Sequence, residues 1–275
     1  MPELPEVETV VRDLRPLLIG RTFQTASAGE LSLRRKWIPA WDAKLIGRTV
    51  ASIERRGKWI TLNFRDGPWL LVHLGMTGQF TVNAVTEPLP DHTHLRFGLS
   101  GNPDELRFRD VRRFGSFDLF TLRAELDAFL DARLGPEPFA VDPKYFQKKL
   151  SQTARPLKAA LLDQSLIAGV GNIYADEALF AARLHPETRA DDLTAKQCER
   201  LRIAVETVLI KAIDGRGSTI RDYIGGSGLR GTFQNEFAAY GRTGEPCLRC
   251  ETPIEVLRIA GRSSHFCPKC QVAVR

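Results

Sequence analysis

No apolar run in the sequence approaches the eighteen or so residues that a membrane span needs. The first residues are acidic where an export leader would be basic and then apolar, so a cytoplasmic protein, nucleoid-associated if it binds DNA, is expected. There is no internal repeat and no low-complexity tract, which excludes solenoid and disordered classes. Cysteine is scarce: five in 275 residues are too few for a disulfide scaffold. Four of the five nevertheless fall in the last 29 residues, and that clustering points to a metal.

The chain is 43% hydrophobic and 26% charged, the balance of a globular protein long enough for about two cores. A net charge of +6 and a pI near 9.2 fit a polyanion partner. Arginine excess of this size also occurs in proteins that bind no nucleic acid, so charge alone decides little.

The chain opens Met1-Pro2-Glu3-Leu4-Pro5-Glu6-Val7-Glu8-Thr9. If Met1 is removed, which a small second residue permits, Pro2 becomes a secondary amine beside a carboxylate. An α-amino group has a reference pKa of about 7.7–8.0, so part of it is neutral and nucleophilic near pH 7. Glu3 stands beside it to move a proton. The same residues also read as helix punctuation, with Pro5 at the first helical position and Glu6 and Glu8 complementing the dipole.

Val7, Val10, Val11, Leu14, Leu17 and Leu18 then carry the spacing of an amphipathic helix, which Pro16 should end or kink. From about residue 48 to 120, short apolar or alternating runs predict strands over 50–53, 59–64, 69–74, 95–99, 106–109 and 116–120, an antiparallel sandwich or barrel. Leu134-Gly135-Pro136-Glu137-Pro138 breaks the pattern. Helices follow over 143–152, 156–164, 173–183 and 194–213. The tight glycine turn Ala168-Gly169-Val170-Gly171-Asn172 joins the second and third of them, a candidate helix-turn-helix element. Six glycines between Gly215 and Gly231 predict a mobile loop.

The strongest local signal is Cys247-x2-Cys250-x16-Cys267-x2-Cys270. Two Cys-x-x-Cys knuckles can close a tetrahedral thiolate site, and four sulfurs leave no open position, so one structural zinc is expected and no catalytic metal. His265 is then surplus as a ligand. Two short strands between the knuckles, joined at Ala260-Gly261-Arg262, place an arginine at a hairpin tip suited to a phosphate. Cys198 reads as helical packing.

Other positions have two readings. Asn172 is a helix N-cap or, after its glycine turn, a donor to an anion at a helix N-terminus. In Arg107-Phe-Arg-Asp-Val-Arg-Arg-Phe114, a strand would expose arginines and bury a phenylalanine, whereas a nucleic-acid wedge would stack Phe114 and use the arginines on phosphates or an orphaned base. Met76, in His73-Leu-Gly-Met-Thr-Gly78, is core or an exposed wedge. Lys58 reads most simply as a solvated lysine.

These motifs together resemble the formamidopyrimidine-DNA glycosylases, bifunctional base-excision repair enzymes. The resemblance runs through residues 2–9, 73–78, Arg112-Arg113-Phe114-Gly115, 169–177 and Tyr240-Gly241-Arg242 into the cysteine site. It implies an α+β, multidomain fold: a catalytic β-sandwich domain with flanking helices over 1–135, a helix-two-turn-helix domain with a glycine-rich lesion-capping loop over 136–231, and a zinc-ribbon hairpin over 232–275. It further implies a monomer acting on double-stranded DNA that contains oxidised purines or abasic sites, without a redox cofactor. By the resemblance, Pro2 is the Schiff-base nucleophile and Glu3 its acid/base, with Lys58 in the catalytic set and Glu6 supporting it. Lys58, His73, Asn172 and Arg262 match phosphate-binding positions. Met76, Arg112 and Phe114 match residues inserted into the duplex. Ser218, Thr219 and Arg221 are candidates for contacts to the flipped base.

Val111 stands where the family often has proline, which bears on that loop's rigidity. An endonuclease VIII-type enzyme for oxidised pyrimidines shares the fold but would open Pro-Glu-Gly-Pro-Glu, and Leu4 favours the purine enzyme. A non-catalytic damage-binding protein and a nucleophilic Lys158 are further alternatives.

Overall fold

The computed structural model describes residues 1–219 and 224–272. They form two compact units, Met1–Ala132 with Gly215–Thr232, and Arg133–Asp214 with Phe233–Arg275. Among the described residues no helix is long and apolar enough to cross a membrane.

The first unit begins with helix α1 (Leu4–Leu18), whose buried stripe of Val7, Val10, Val11, Leu14 and Leu18 repeats at the helical period. Glu3 is its N-cap, so Pro5 occupies the second helical position rather than the first, which costs nothing because that N–H also lacks an intrahelical partner. Pro16 lies inside the helix without stopping it at once. It forfeits one hydrogen bond in the last turn, and the chain leaves the helix with Ile19 N–H on the Arg15 carbonyl at 3.1 Å.

Eight strands follow: β1 (Phe23–Ala28), β2 (Val50–Arg56), β3 (Trp59–Phe64), β4 (Trp69–His73), β5 (Gln79–Ala84), β6 (Thr93–Leu99), β7 (Asp104–Arg109) and β8 (Ser116–Phe120). They pair antiparallel in two four-stranded sheets, ordered β1-β6-β7-β5 and β2-β3-β4-β8. Both sheets and α1 share one core, in which Phe108 meets Phe117 edge-on at 4.9 Å. The strands that apolar runs did not reveal, β1 and β5, are the edges of one sheet, and each buries only one phenylalanine. An edge strand needs little apolar surface, so its period-2 signal is weak. Helices α2 (Ala40–Leu45) and α3 (Arg123–Asp131) escaped for the same reason, with one and two buried residues.

The second unit holds α4 (Pro143–Ser151), α5 (Leu157–Leu161), α6 (Asn172–Ala182) and α7 (Ala195–Asp214). Thr194 and Gln197 cap α7 reciprocally, at 2.9 Å and 3.3 Å. Helix α5 is shorter than its apolar pattern suggests, because Asp163 just beyond it turns back to accept from Ser165 N–H and hydroxyl. Helix α6 is buried almost all round. Its Glu177 accepts the N–H groups of Ala238, Ala239 and Tyr240 at 2.8–2.9 Å, which fixes the segment entering the C-terminal hairpin. That hairpin, β9 (Glu255–Ile259) and β10 (Arg262–Phe266), turns on Ala260 and Gly261, both at positive φ, as a two-residue turn requires.

Burial pushes the Glu177 carboxyl up from its ordinary range, while the three N–H bonds pull it down and Asp176 pushes it up again. Glu177→Ala should cost about 2–3 kcal/mol in urea unfolding, because it orphans three amides at once. A loss below about 0.5 kcal/mol would show that water replaces the carboxylate freely.

Candidate active site and nucleic-acid interface

Pro2 and Glu3 are both buried at the start of α1, while Met1 is 44% exposed. Glu3 and Glu6 cap one another: the Glu3 carboxylate accepts Glu6 N–H, and Glu6 Oε2 accepts Glu3 N–H at 2.8 Å. The second Glu6 oxygen accepts Ser218 N–H at 2.8 Å and its hydroxyl at 3.0 Å. Gly217 makes this possible: its φ is +74°, and a Cβ would stand 2.9 Å from Glu6 Oε1. Asp13, two turns along the same helix face, accepts from Arg216 at 2.7 Å and from the Ser227 hydroxyl at 2.9 Å. Thr219 Oγ1 accepts Gly231 N–H at 2.9 Å. The described ends of the glycine-rich segment are therefore tied to α1 or to each other, and Arg221 lies outside the described residues.

Lys58 is 7% exposed, not solvated as its position after a glycine suggested. It sits in the two-residue turn between β2 and β3, after Gly57 at φ +56°. His73 closes β4 opposite Trp59, with the rings 4.8 Å apart. Its Nδ1 accepts Gly75 N–H at 3.0 Å, which leaves Nε2 as the protonated donor of the neutral ring. Burial, then the charges of Lys58 and Arg34, lower its pKa to about 4. His73 is thus a neutral donor near pH 7, backed by two cations.

Met76 is half-buried, and Phe114 is 42% exposed with the Arg112 guanidinium 4.8 Å over its ring. The loops that carry them are held by Asp110, which is fully buried. It accepts the Thr77 hydroxyl at 2.5 Å and Gly115 N–H at 2.7 Å, and Thr77 accepts Arg112 N–H at 3.1 Å. Gly75 lies against the Phe114–Gly115 backbone, where a Cβ would meet Gly115 N at 2.5 Å. Met76, Arg112 and Phe114 are thereby gathered on neighbouring loops. Arg107 does not belong with them. It is 3% exposed, paired with Glu105 at 2.6 Å and bonded to the carbonyls of Ala84, Glu87 and Pro88.

In the second unit, Asn172 is the first residue of α6, and Gly171, not Asn172, is the N-cap. Its Oδ1 is buried without a hydrogen-bond partner among the described residues. The fully buried Lys158 donates to the Asn172 carbonyl at 2.7 Å and to Asp176 Oδ1 at 2.5 Å. Asp176 Oδ2 also accepts His265 N–H and faces its Nδ1, each at 3.0 Å. Lys158 is committed to this network, which argues against a nucleophilic role, and His265 has its own partner away from the sulfurs. Exposed Arg262 pairs with Ile259 directly after the hairpin turn. The four Sγ atoms of Cys247, Cys250, Cys267 and Cys270 lie within 4.8 Å of one another.

Residues 1–117 match the formamidopyrimidine-DNA glycosylase N-terminal domain, residues 134–223 its H2TH domain, and residues 244–272 a zinc finger found in FPG and IleRS. The chain belongs to the formamidopyrimidine-DNA glycosylase family. A formamidopyrimidine-DNA glycosylase of Thermomicrobium roseum is 45% identical over 98% of this chain and 99% of its own. One of Geobacillus kaustophilus is 42% identical over 98% and 100%. Among solved structures, a Lactococcus lactis FPG mutant in complex with Fapy-dG-containing DNA superposes with a TM-score of 0.92 at 37% identity, covering 98% of this chain and 100% of that one. MutM in complex with carbocyclic 8-oxo-G-containing DNA gives 0.91 at 37%, with the same coverage.

For a formamidopyrimidine-DNA glycosylase the cysteine cluster is a zinc finger, and its geometry fits. A tetrahedron of thiolates at about 2.3 Å from zinc has S···S edges of about 3.8 Å, and three of the edges here measure 3.4, 3.5 and 4.0 Å. The ion would be held by four sulfurs at the base of β9–β10 and would supply structure rather than chemistry. Asp110, Asp176 and Glu177 had no sequence signal of their own. Each is a buried carboxylate that accepts at least one main-chain N–H from a residue outside its own element, and those partners appear only in the folded chain.

The lowered His73 pKa means that the folded state binds fewer protons than the unfolded one between pH 6.5 and about 4. The stability it contributes is whole above pH 6.5 and is lost as pH falls through that window. NMR titration should place its midpoint near 4 in the free protein and higher with DNA bound, because a phosphate stabilises the imidazolium. A free-protein midpoint near 6.5 would contradict the buried, cation-flanked ring. Metal analysis should find one zinc per chain. Its removal by a strong chelator should expose four thiols and weaken DNA binding while the first unit stays folded; unchanged affinity after proven metal loss would contradict the hairpin's role.

Proposed function

We propose that the chain excises oxidised purines from duplex DNA and then cleaves the strand at the abasic site, with Pro2 as nucleophile and Glu3 as its acid/base. The observation that carries this reading is the buried N-terminal arrangement, in which Pro2 and Glu3 are anchored by the first turn of α1 and by Glu6, itself hydrogen-bonded to Ser218. Family membership supports it, as do relatives solved with Fapy-dG-containing and abasic-site-containing DNA. The protein is read as a cytoplasmic monomer.

The chemistry follows from the groups. A base stacked in a duplex is out of reach, so the damaged nucleotide must be extruded at a cost of a few kcal/mol. Met76, Arg112 and Phe114 are proposed to fill the gap, Arg112 by facing the orphaned base. Lys58, His73, Asn172 and Arg262 are proposed to take backbone phosphates. With Met1 gone, the Pro2 nitrogen attacks C1′. The N-glycosidic bond breaks, the base leaves with a proton, and Glu3 protonates the ring oxygen as the sugar opens. The resulting iminium acidifies the C2′ proton. Its removal expels the 3′ phosphate by β-elimination, and a second elimination releases the 5′ phosphate. Ser218 and Thr219 stand at the described end of the segment proposed to face the extruded base, and Arg221 is proposed with them.

Intact mass should show Met1 removed, and borohydride should then trap a covalent adduct on a duplex carrying 8-oxoguanine opposite cytosine. Pro2→Gly should trap far less, and Glu3→Gln should lose about 10²–10⁴-fold in excision. No adduct from correctly processed protein would reject the Schiff-base route. Clear preference for thymine glycol over 8-oxoguanine would replace the purine assignment with the pyrimidine one.

A further inference from the structure

The connection between β1 and α2 carries Arg34-Arg35-Lys36, to which no motif above gives a role. The two arginines differ in their surroundings. Arg35 is occupied: its guanidinium pairs with Asp118 and lies 5.7 Å from the Phe129 ring centre. The Arg34 guanidinium enters no hydrogen bond or ion pair among the described residues. It is exposed and close enough to His73 for its charge, with that of Lys58, to oppose protonation of the ring.

Arg34 also lines an open pocket of about 610 Å³ with Ser32, Leu33, Arg112, Arg113 and Phe114. Arg113 is held there at φ +57°, with a long 3.5 Å contact from its Nη1 to the Ser32 carbonyl. Three arginines thus line one concavity, and no acidic residue lines it among the described residues. An exposed arginine is ordinarily just solvated. Three cations around one hollow repel each other, however, and an anion entering it relieves that repulsion. Guanidinium forks offer donors alone, which suits phosphate oxygens better than base edges that present donors and acceptors side by side.

We propose that Arg34, assisted by Arg113, forms a further phosphate subsite that takes a backbone phosphate of the DNA beside the step entered by Phe114. The inference rests on the DNA-repair reading above and deepens it. Arg34 joins the His73–Lys58 phosphate group to the Arg112–Phe114 wedge, so that the backbone is gripped where the wedge enters. Either strand could supply the phosphate, and the experiment separates them.

The test measures the dissociation constant for a duplex with a tetrahydrofuran abasic-site analogue over a series of salt concentrations. Arg34→Ala should weaken binding about tenfold at low salt, as loss of one charge-assisted contact does, and should flatten the log–log salt slope by about one. Arg34→Lys should keep most of the slope. Lys36→Ala removes the same charge two residues away and should change affinity less than about twofold. The loss in Arg34→Ala should be equal with cytosine or adenine opposite the analogue. Neutral methylphosphonates walked along each strand should reveal one linkage whose neutralisation weakens the wild type but not Arg34→Ala, and that position names the strand.

Equal effects of Arg34→Ala and Lys36→Ala, a loss that depends on the opposite base, or no such linkage on either strand would each overturn the subsite. Borohydride trapping of the same wild-type preparation on 8-oxoguanine duplex keeps the two levels apart. No adduct there defeats the proposed function, whereas trapping with an Arg34→Ala affinity equal to wild type defeats the subsite alone.

Discussion

The Glu6 carboxylate is the interaction on which the arrangement around Pro2 and Glu3 depends. One oxygen closes the capping box with Glu3 and the other receives Ser218, so a single side chain starts α1, positions the residue beside Pro2 and anchors the near end of the glycine-rich segment. A cap contributes about 1 kcal/mol to a helix. Here its larger consequence is geometric. Pro2 precedes the first helical turn, and its direction is set by how firmly the next residues enter the helix. Burial of Val7, Val10 and Val11 in the sandwich core makes that entry rigid.

The same device recurs wherever loops must be held. Asp110 gathers the loops that carry Met76 and Phe114, Glu177 fixes the entry to the hairpin, and Asp176 joins Lys158 and His265. Each is a buried carboxylate with its oxygens occupied by donors. A buried pair such as Lys158–Asp176 repays its desolvation only when such extra bonds are present. These clusters exclude alternative arrangements of exposed polar loops, for which apolar packing has too little surface. The exposed groups they support, among them Phe114 and Arg262, are the ones proposed to meet DNA.

His73, proposed to face a phosphate, shows how burial and neighbouring charge set the state of one ring. Its Nδ1 is occupied by Gly75 N–H, and burial beside Lys58 and Arg34 keeps the ring neutral. It therefore offers one fixed donor at neutral pH, while the charge comes from its neighbours. In the proposed reading a phosphate would meet a directed hydrogen bond and two cations together, with orientation and attraction supplied by different side chains.

Much was legible in the sequence because it was local. The α1 stripe, strands β2–β4 and β6–β8, the helices of the second unit and the two cysteine knuckles are set by short-range periodicity, turn residues and ligand spacing. Edge strands β1 and β5 and helices α2 and α3 were not, since they bury too few side chains to leave a pattern. At the site, the sequence by itself determined the chemistry available: an amine beside a carboxylate, four thiols, and arginines beside exposed rings. Tertiary structure alone decided that Lys58 is buried and Arg34 open, that Arg107 pairs with Glu105 while Arg112 faces outward, and that Lys158 is bound to Asp176. The physical reason is that an arginine or lysine has the same charge wherever it stands. Its role depends on burial and on which oxygen lies within about 3 Å, and those oxygens come from residues distant in the chain.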